Sequence, residues 1–446
     1  MKKDTSLSMT QGNPTLLLLW FSLPMLIGNL FQQAYNLVDS VIVGRFVGSA
    51  ALAAIGATGS VTFLFFSICS GISSGCGIVT SQIFGAGDTR RTRRAIMNSA
   101  YVMLISSVGM GAVAYAAARW ILQLMGTPPD ILPDAVLYMR VSCVGVPLVG
   151  VYNYVSSMLR ALGDSRTPLY YLIFACLMNV ALDLLCVCVF HMGVLGAALA
   201  TIVSQMLAGV GCLMRVLKTN PYFQFRHEDF ARDDGMIRRS VRIGLPLAMQ
   251  WSMIAVSTTV LQSFVNGFGT AAVAAYTAIS RIEQLVHHPY GSLSTALSTY
   301  SGQNYGAVRM DRVKDGMKHG LGISLVFTVL MTAFMQLFAD GIIGLFVSEA
   351  EVILIGARGL RLTAWFYLAL AFINMARGVL NGVGDALFAF VNGVVEIITR
   401  IGLPMLLMLI PGMGVDSIWW TTGLTWAVSA VFCMLRYFSW RRKTEA

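Results

Sequence analysis

About twelve stretches of roughly 20 mostly apolar residues, parted by short polar gaps, take up nearly all of this 446-residue chain. That length is what a bilayer-spanning helix requires. The stretches begin near Thr15, Ala51, Ala95, Ile131, Pro168, Val194, Ser240, Thr270, Gly320, Val352, Leu387 and Gly414. Their length and their Gly and Pro content favour helices over barrel strands, which read as about ten alternating residues. Only 12% of the residues are charged, against roughly 25% in a soluble domain, so no soluble domain is expected beside the spans. The first stretch has no small-residue cleavage site and carries Pro24 and later Asp39, which argues against a cleaved signal peptide. Lys2 and Lys3 precede it. The expectation is an all-α membrane protein of twelve transmembrane helices.

The net charge of +10 is distributed by position. Basic residues gather in alternate loops: Arg90, Arg91, Arg93 and Arg94; Arg160 and Arg166; Arg215 to Arg242; Arg309 to Lys318; Arg436 to Lys443. The loops between them, such as Thr127–Asp134 and Ala339–Glu351, are neutral or acidic. By the positive-inside rule both termini are cytoplasmic, in keeping with an even number of spans. Charges spread with the period of the helices make a poor nucleic-acid surface. All eight cysteines fall within apolar stretches, so no structural disulfide is expected. Cys186 and Cys188 point to different helix faces and make a poor metal pair.

The chain repeats itself at an offset of 221 residues. Ala50-Ala51-Leu52-Ala53-Ala54 matches Ala271-Ala272-Val273-Ala274-Ala275, and Gly48 matches Gly269. Gln82, Gly85 and Ala86 match Gln303, Gly306 and Ala307; Leu159, Gly163 and Asp164 match Leu380, Gly384 and Asp385. Arg140, Met192, Gly193, Val194 and Thr201 match Arg361, Met413, Gly414, Val415 and Thr422, and Pro24 matches Pro246 after a one-residue slip. Six spans per half return the chain to the same side, so the halves are parallel repeats about an axis along the membrane normal. The expected organisation is an N-lobe over 1–217 with helices 1–6, a polar cytoplasmic linker over 218–239, and a C-lobe over 240–446 with helices 7–12.

Asp39, Asn179, Asp183 and Thr201 lie inside apolar stretches, where an ionisable side chain is a functional-site hypothesis. The helical rise of about 1.5 Å per residue puts Asp39 roughly 10 Å below the outer face. Asp183 and Thr201 come to a similar depth, with Asn179 one turn deeper than Asp183 on the same face. Hard oxygen ligands of this kind suit Na⁺ or a proton. The acids do not recur in the second half: Asn179 becomes Arg400, Asp183 becomes Pro404, and Asp39 faces Val260 or Leu261. The other reading of these residues is structural, with Asp39 capping a helix end near Gly44 and Asn179 and Asp183 bonding between helices.

The chain resembles the multidrug and toxic compound extrusion (MATE) family, and looks closest to its prokaryotic DinF-like branch. The resemblance is carried by Gln33-Ala34-Tyr35-Asn36-Leu37-Val38-Asp39 with Val43-Gly44-Arg45, and by Ser81-Gln82 with Gly85-Ala86. Arg160-Ala161-Leu162-Gly163-Asp164 adds to it, as do Asn179-Val180-Ala181-Leu182-Asp183, Gly196-Ala197-Ala198 with Thr201, and Gly302-Gln303-Asn304-Tyr305-Gly306-Ala307. It implies twelve helices in two six-helix lobes and alternating access driven by Na⁺ or H⁺. It further implies cation binding by Asp39, Asn179, Asp183 and Thr201, a bend at Pro24, and a substrate cavity lined by Tyr35, Asn36, Tyr138 and Asn153. The expected protein is a monomeric antiporter of the bacterial cytoplasmic membrane, exporting amphipathic, often cationic compounds. No cofactor is expected, and no metal beyond Na⁺ at the cation site. The chain departs from members with an acid in the seventh helix, where it has Ile254 and apolar neighbours.

Other polar residues read as structural. Arg281 with Glu283, and Glu396 with Arg400, suggest ion pairs. His287 and His288 suit a helix core, with a proton relay as the alternative. Gly71-Ile72-Ser73-Ser74-Gly75 fits a nucleophile-elbow pattern, but inside a membrane helix small residues serve close packing. No HExxH or phosphate-binding loop is present, which excludes a zinc hydrolase and an ATP-driven pump of that type. A flippase for a lipid-linked precursor is the competing function. It calls for several basic residues around a pyrophosphate, and the N-lobe spans carry acids and amides instead.

Overall fold

The computed structural model describes residues 6–445, so Lys2 and Lys3 lie outside the described residues. Thirteen α-helices follow one another: α1 (Pro14–Phe46), α2 (Ser49–Gly85), α3 (Thr89–Leu124), α4 (Leu132–Ala161), α5 (Arg166–Asp183), α6 (Gly193–Thr219), α7 (Asp234–Asn266), α8 (Thr270–Gly306), α9 (Met310–Gly344), α10 (Ala350–Ala364), α11 (Tyr367–Gly382), α12 (Ala386–Leu407) and α13 (Asp416–Glu445). No strand occurs among the described residues. Ten of these helices are long and apolar enough to cross a bilayer, or eleven when α10 and α11, bent by 49° at their junction, are counted as one span, against the twelve expected. The remaining helix, α8, carries Arg281, Glu283, Gln284, His287 and His288, whose polarity keeps it outside that set. The outward faces are apolar: Val326, Val329, Leu330 and Leu337 stand exposed along α9, as lipid contact demands.

The internal repeat is a repeat of backbone contacts. Gly163 and Gly384 both adopt positive φ (86° and 90°). In each, the following Asp N–H returns to a carbonyl five residues back: Asp164 to Leu159 and Asp385 to Leu380, both at 2.9 Å. That 6→1 closure is the Schellman stop, which glycine makes without a Cβ clash. The Ser73 hydroxyl donates to the Asn153 carbonyl (3.3 Å), and Ser294 donates to Asn374 (2.7 Å), the same bond 221 residues on. One contact is reversed in size. Gly145 of α4 receives Ile202 of α6, whereas Phe366 at the α10–α11 junction is received by Gly423 of α13. The large and small partners change places at matching positions, which keeps the filled volume while altering the helix.

Two compact units divide the chain. The first holds residues 23–248 with the described residues up to Ser8, and α4 is its hub, packing on α2, α3 and α6. The second holds Met9–Ser22 and 249–446, with α11 packing on α8, α9 and α13. The boundaries differ from the expected 1–217, 218–239 and 240–446 at two places. Residues 9–22 belong to the second unit because the Met9 N–H donates to Gln303 Oε1 (2.7 Å), Asn304 Nδ2 donates to the Met9 carbonyl (3.2 Å), and Thr15 bonds His319 (2.8 Å). Residues 218–248 belong to the first. The segment before α7 is strapped to α3 by Asn98, which accepts from the Asp233 N–H (2.8 Å), and by the Arg93–Asp229 ion pair (3.1 Å). Arg239 then donates to Gln82, the repeat counterpart of Gln303. The changes of unit fall beside Pro24 in α1 and Pro246 in α7.

Glycines set the closeness of α2 and α7. A Cβ on Gly71 would stand 2.4 Å from the Ala248 backbone N, and one on Gly75 would stand 2.5 Å from Gly244 Cα. The Gly-x-Ser-x-Gly run is therefore a helix-packing surface, as its position inside a membrane helix suggested.

Candidate functional site

Helices α1, α5 and α6 meet in the first unit through small and branched apolar residues. Gly28 lets α1 approach α5: a Cβ there would lie 3.0 Å from Leu172. One core cluster then joins Ile42 and Val43 of α1 to Ala51 of α2, Val187 beyond α5, and Val194 and Ala197 of α6, with Tyr138 of α4 packed against it. This apolar frame surrounds the polar residues singled out in the sequence. Asp183 is 0% exposed and Asn179 2%. The carboxyl groups of Asp39 and Asp183 lie side by side. Asn179 Nδ2 donates to Thr201 Oγ1 at 3.3 Å, tying α5 to α6. The phenols of Tyr35 and Tyr138 stand within electrostatic reach of both carboxylates.

The remaining oxygens have no donor. Asp39 Oδ1, Asn179 Oδ1 and both carboxylate oxygens of Asp183 are buried without a hydrogen-bond partner. Among the described residues no Lys or Arg forms an ion pair with either acid. Two adjacent carboxylates in a desolvated site repel each other, and a buried charge without a partner costs several kcal/mol. A proton shared by the pair, or a small hard cation bound by the oxygens, removes both costs. The donor set (carboxylate, amide, hydroxyl) fits Na⁺ or H⁺ and lacks a soft ligand. A helix-cap role for Asp39 is not what the structure shows, because seven residues of α1 follow Asp39 and one of its oxygens is orphaned.

The other two expected cavity residues use their backbone carbonyls within the helices. Asn36 is exposed, and its carbonyl accepts from Ser40 (2.8 Å). Asn153 is half-buried on α4, where its carbonyl serves the bond from Ser73. One feature escaped sequence reasoning. Immediately after Asp183 the helix widens into a π-helical segment, Leu184–Val189. Such bulges gather at functional sites, and this one begins at the most buried acid. The run Leu-Leu-Cys-Val-Cys-Val contains no Pro or Gly to announce it.

The charged residues of the second unit pair differently from the expectation. Glu396 bonds Arg377 of α11, and Asn392 Nδ2 also donates to it (3.3 Å), in place of the expected i,i+4 pair with Arg400. Glu396 is drawn to the neighbouring helix because its side chain faces inward, at 4% exposure, where Arg377 also points. Arg281 points outward and makes no ion pair with Glu283, which turns inward one face away. His287 packs edge-on against Trp426, with ring centres 5.6 Å apart.

The comparisons agree with this architecture. The MatE family model matches residues 24–185 and 246–406, one match in each half. The "Probable multidrug resistance protein YpnP" of Bacillus subtilis is 28% identical over 437 residues, covering 97% of each chain. The "Probable multidrug resistance protein YoeA" of the same organism is 27% identical over 432 residues, covering 95% of this chain and 93% of the relative. A solved structure described as the outward-facing conformation of a multidrug resistance MATE family transporter of the MOP superfamily superposes with a TM-score of 0.92 at 22% identity, over 100% of this chain and 99% of that one. With both repeats matched, the chain belongs to the MatE family, the multidrug and toxic compound extrusion transporters.

Proposed function

We propose that this multi-pass membrane transporter is a Na⁺- or H⁺-coupled antiporter that exports amphipathic, often cationic organic compounds across the cytoplasmic membrane by alternating access. The observation that carries this reading is the set of orphaned, buried oxygens of Asp39, Asn179 and Asp183 around the Asn179–Thr201 bond. The names of the relatives as multidrug resistance proteins support the substrate class. A cation entering the site neutralises the carboxyl pair, so it binds more tightly to the helix arrangement that holds Asp39 against Asp183. That unequal affinity is what lets an ion gradient shift a conformational equilibrium. Pro24, whose ring removes one N–H from the α1 ladder, supplies the place where α1 can change shape. The flippase alternative is less well supported, because the site in the first unit gathers acids, an amide and a hydroxyl, with no base for a pyrophosphate.

The test is efflux of a fluorescent organic cation from proteoliposomes under a Na⁺ gradient alone and a pH gradient alone, for the wild type and Asp39→Asn. One gradient should drive the wild type, and Asp39→Asn should lose that response while inserting normally. Gradient-driven efflux at the wild-type rate in Asp39→Asn would overturn the assignment.

A further inference from the structure

The second unit contains a buried positive charge that the protein itself leaves unpaired. Arg400 of α12 is 6% exposed, makes no hydrogen bond or ion pair among the described residues, and has its Nε fully enclosed. Its charge is felt at Glu283, His287 and Tyr276 of α8. Glu283 does not close on it, and Glu283 Oε1 is itself buried with no partner. One turn before Arg400 the same helix shows what a structural pair looks like here: Glu396 bonds both Arg377 and Asn392. Arg400 Nε and Glu283 Oε1 are thus each enclosed without a hydrogen-bond partner. An unpaired guanidinium at membrane depth is costly, so its retention without a partner points to a ligand.

The repeat sharpens the comparison. Position 400 corresponds to Asn179, and position 404, now proline, corresponds to Asp183. Where the first unit builds a site of negative charge, the second places a cation at the same point of the scaffold. The surroundings suit an organic molecule. Tyr276 stacks on Trp419, with ring centres 6.0 Å apart and planes 20° apart, and Trp419 Nε1 is a buried donor with no acceptor. Glu283 and Tyr276 are half-buried, while Arg400 is enclosed.

We propose that Arg400 and Glu283 form a substrate subsite for compounds that carry both a carboxylate and a protonated amine, with Arg400 holding the carboxylate. Arginine offers a planar fork that matches a carboxylate in a bidentate fashion. Glu283 takes the ammonium group and repels polyanions, which restricts the site to molecules with a single acid. The subsite rests on the reading of the chain as an exporter of organic compounds, but it is independent of the Asp39–Asp183 ion site.

The experiment measures equilibrium binding, with no ion gradient, of the fluorescent dye Nε-dansyl-lysine, which carries a free carboxylate and a protonated amine, and of its methyl ester, to the full-length protein in nanodiscs. Arg400→Gln should weaken binding of the acid roughly tenfold or more, the scale of a lost charged hydrogen bond, and leave the ester unchanged. Arg400→Lys should restore part of the acid binding. In the wild type, benzoate should displace the acid dye and not the ester, which tests the subsite even if Arg400→Gln fails to fold. Equal effects of Arg400→Gln on both dyes, no effect on either, or benzoate that displaces neither dye or both alike would overturn the proposal. Failure of the ion-site reading looks different: Asp39→Asn would then keep gradient-driven efflux, while the dye discrimination at Arg400 stayed as it was.

Discussion

Replacing Asp183 with Asn is the most informative single perturbation of the candidate ion site. The side chain keeps its shape and loses one charge. In the folded protein both Asp183 oxygens are enclosed without a donor, and the residue has no exposed surface, so solvent screens the site poorly. At an effective dielectric of about 20, unit charges ~4 Å apart interact by about 4 kcal/mol. Losing that attraction should weaken cation binding by about a thousandfold, since each ~1.4 kcal/mol is a factor of ten. Thr201→Ala is the graded control. It removes a neutral hydroxyl from the donor set together with the 3.3 Å bond from Asn179, a neutral interaction worth about 0.5–1.5 kcal/mol net, and should cost about tenfold, far less than the loss of a carboxylate charge. Asp39→Asn and Asp183→Asn combined should cost less than the sum of the two, because the carboxylates act on one ion and are coupled. Binding is read by calorimetry for Na⁺, or by proton release on substrate addition if H⁺ is the coupling ion. Tm in nanodiscs provides the folding check: removing a buried, unpaired carboxylate should leave Tm unchanged or raise it. If Asp183→Asn weakens cation binding no more than Thr201→Ala does, the carboxyl pair is not the binding site.

Three further outcomes are expected. Gly75→Ala should lower Tm by the equivalent of about 1–3 kcal/mol, because its Cβ would meet the Gly244 backbone at 2.5 Å. Gly59→Ala, where nothing lies within 4 Å, should be neutral or stabilising by about 0.5–1 kcal/mol, and equal Tm values for the two variants would contradict the packing account. Single cysteines in 85–94 and 218–239 should resist an impermeant thiol reagent in intact cells, while those in 127–134 react; labelling of 218–239 from outside would reverse the orientation. Pro24→Ala restores a backbone N–H to α1, so it should slow export while cation binding persists. Wild-type transport, or a loss of cation affinity as large as that in Asp39→Asn, would remove Pro24 as the coupling element.

The repeat and the position of most spans were legible in the sequence because a bilayer leaves few alternatives; the count was not, since ten helices, or eleven with the bent α10–α11 pair, meet the length and hydropathy of a span where twelve were expected, and the polar side chains of α8 keep it outside the set. Backbone groups in hydrocarbon must be satisfied within the helix, so length and hydropathy announce each element, and α2 to α6 begin within about six residues of the apolar stretches that predict them. The repeat could be read for the same reason: Gly163 and Gly384 need positive φ, and the residue types that permit it are few. Rare polar residues in apolar stretches likewise marked Asp39, Asn179 and Asp183. Three things were decided only by tertiary structure. Unit membership depends on which side chains accept the N-terminal segment and the segment leading into α7, as Gln303 does for Met9 and Gln82 for Arg239, and linear order carries no record of such partners. The π-helical turn after Asp183 arises in a run without Pro or Gly, where packing against α6 sets the backbone and local propensity does not. Pairing in the second unit followed facing direction: i,i+4 spacing offered Glu396 to Arg400, yet Arg377 on the adjacent helix took it. Sequence determines which groups the membrane must hide; which of them meet depends on the rotation and closeness of neighbouring helices, and those come from the packing of glycines and branched side chains across the whole bundle.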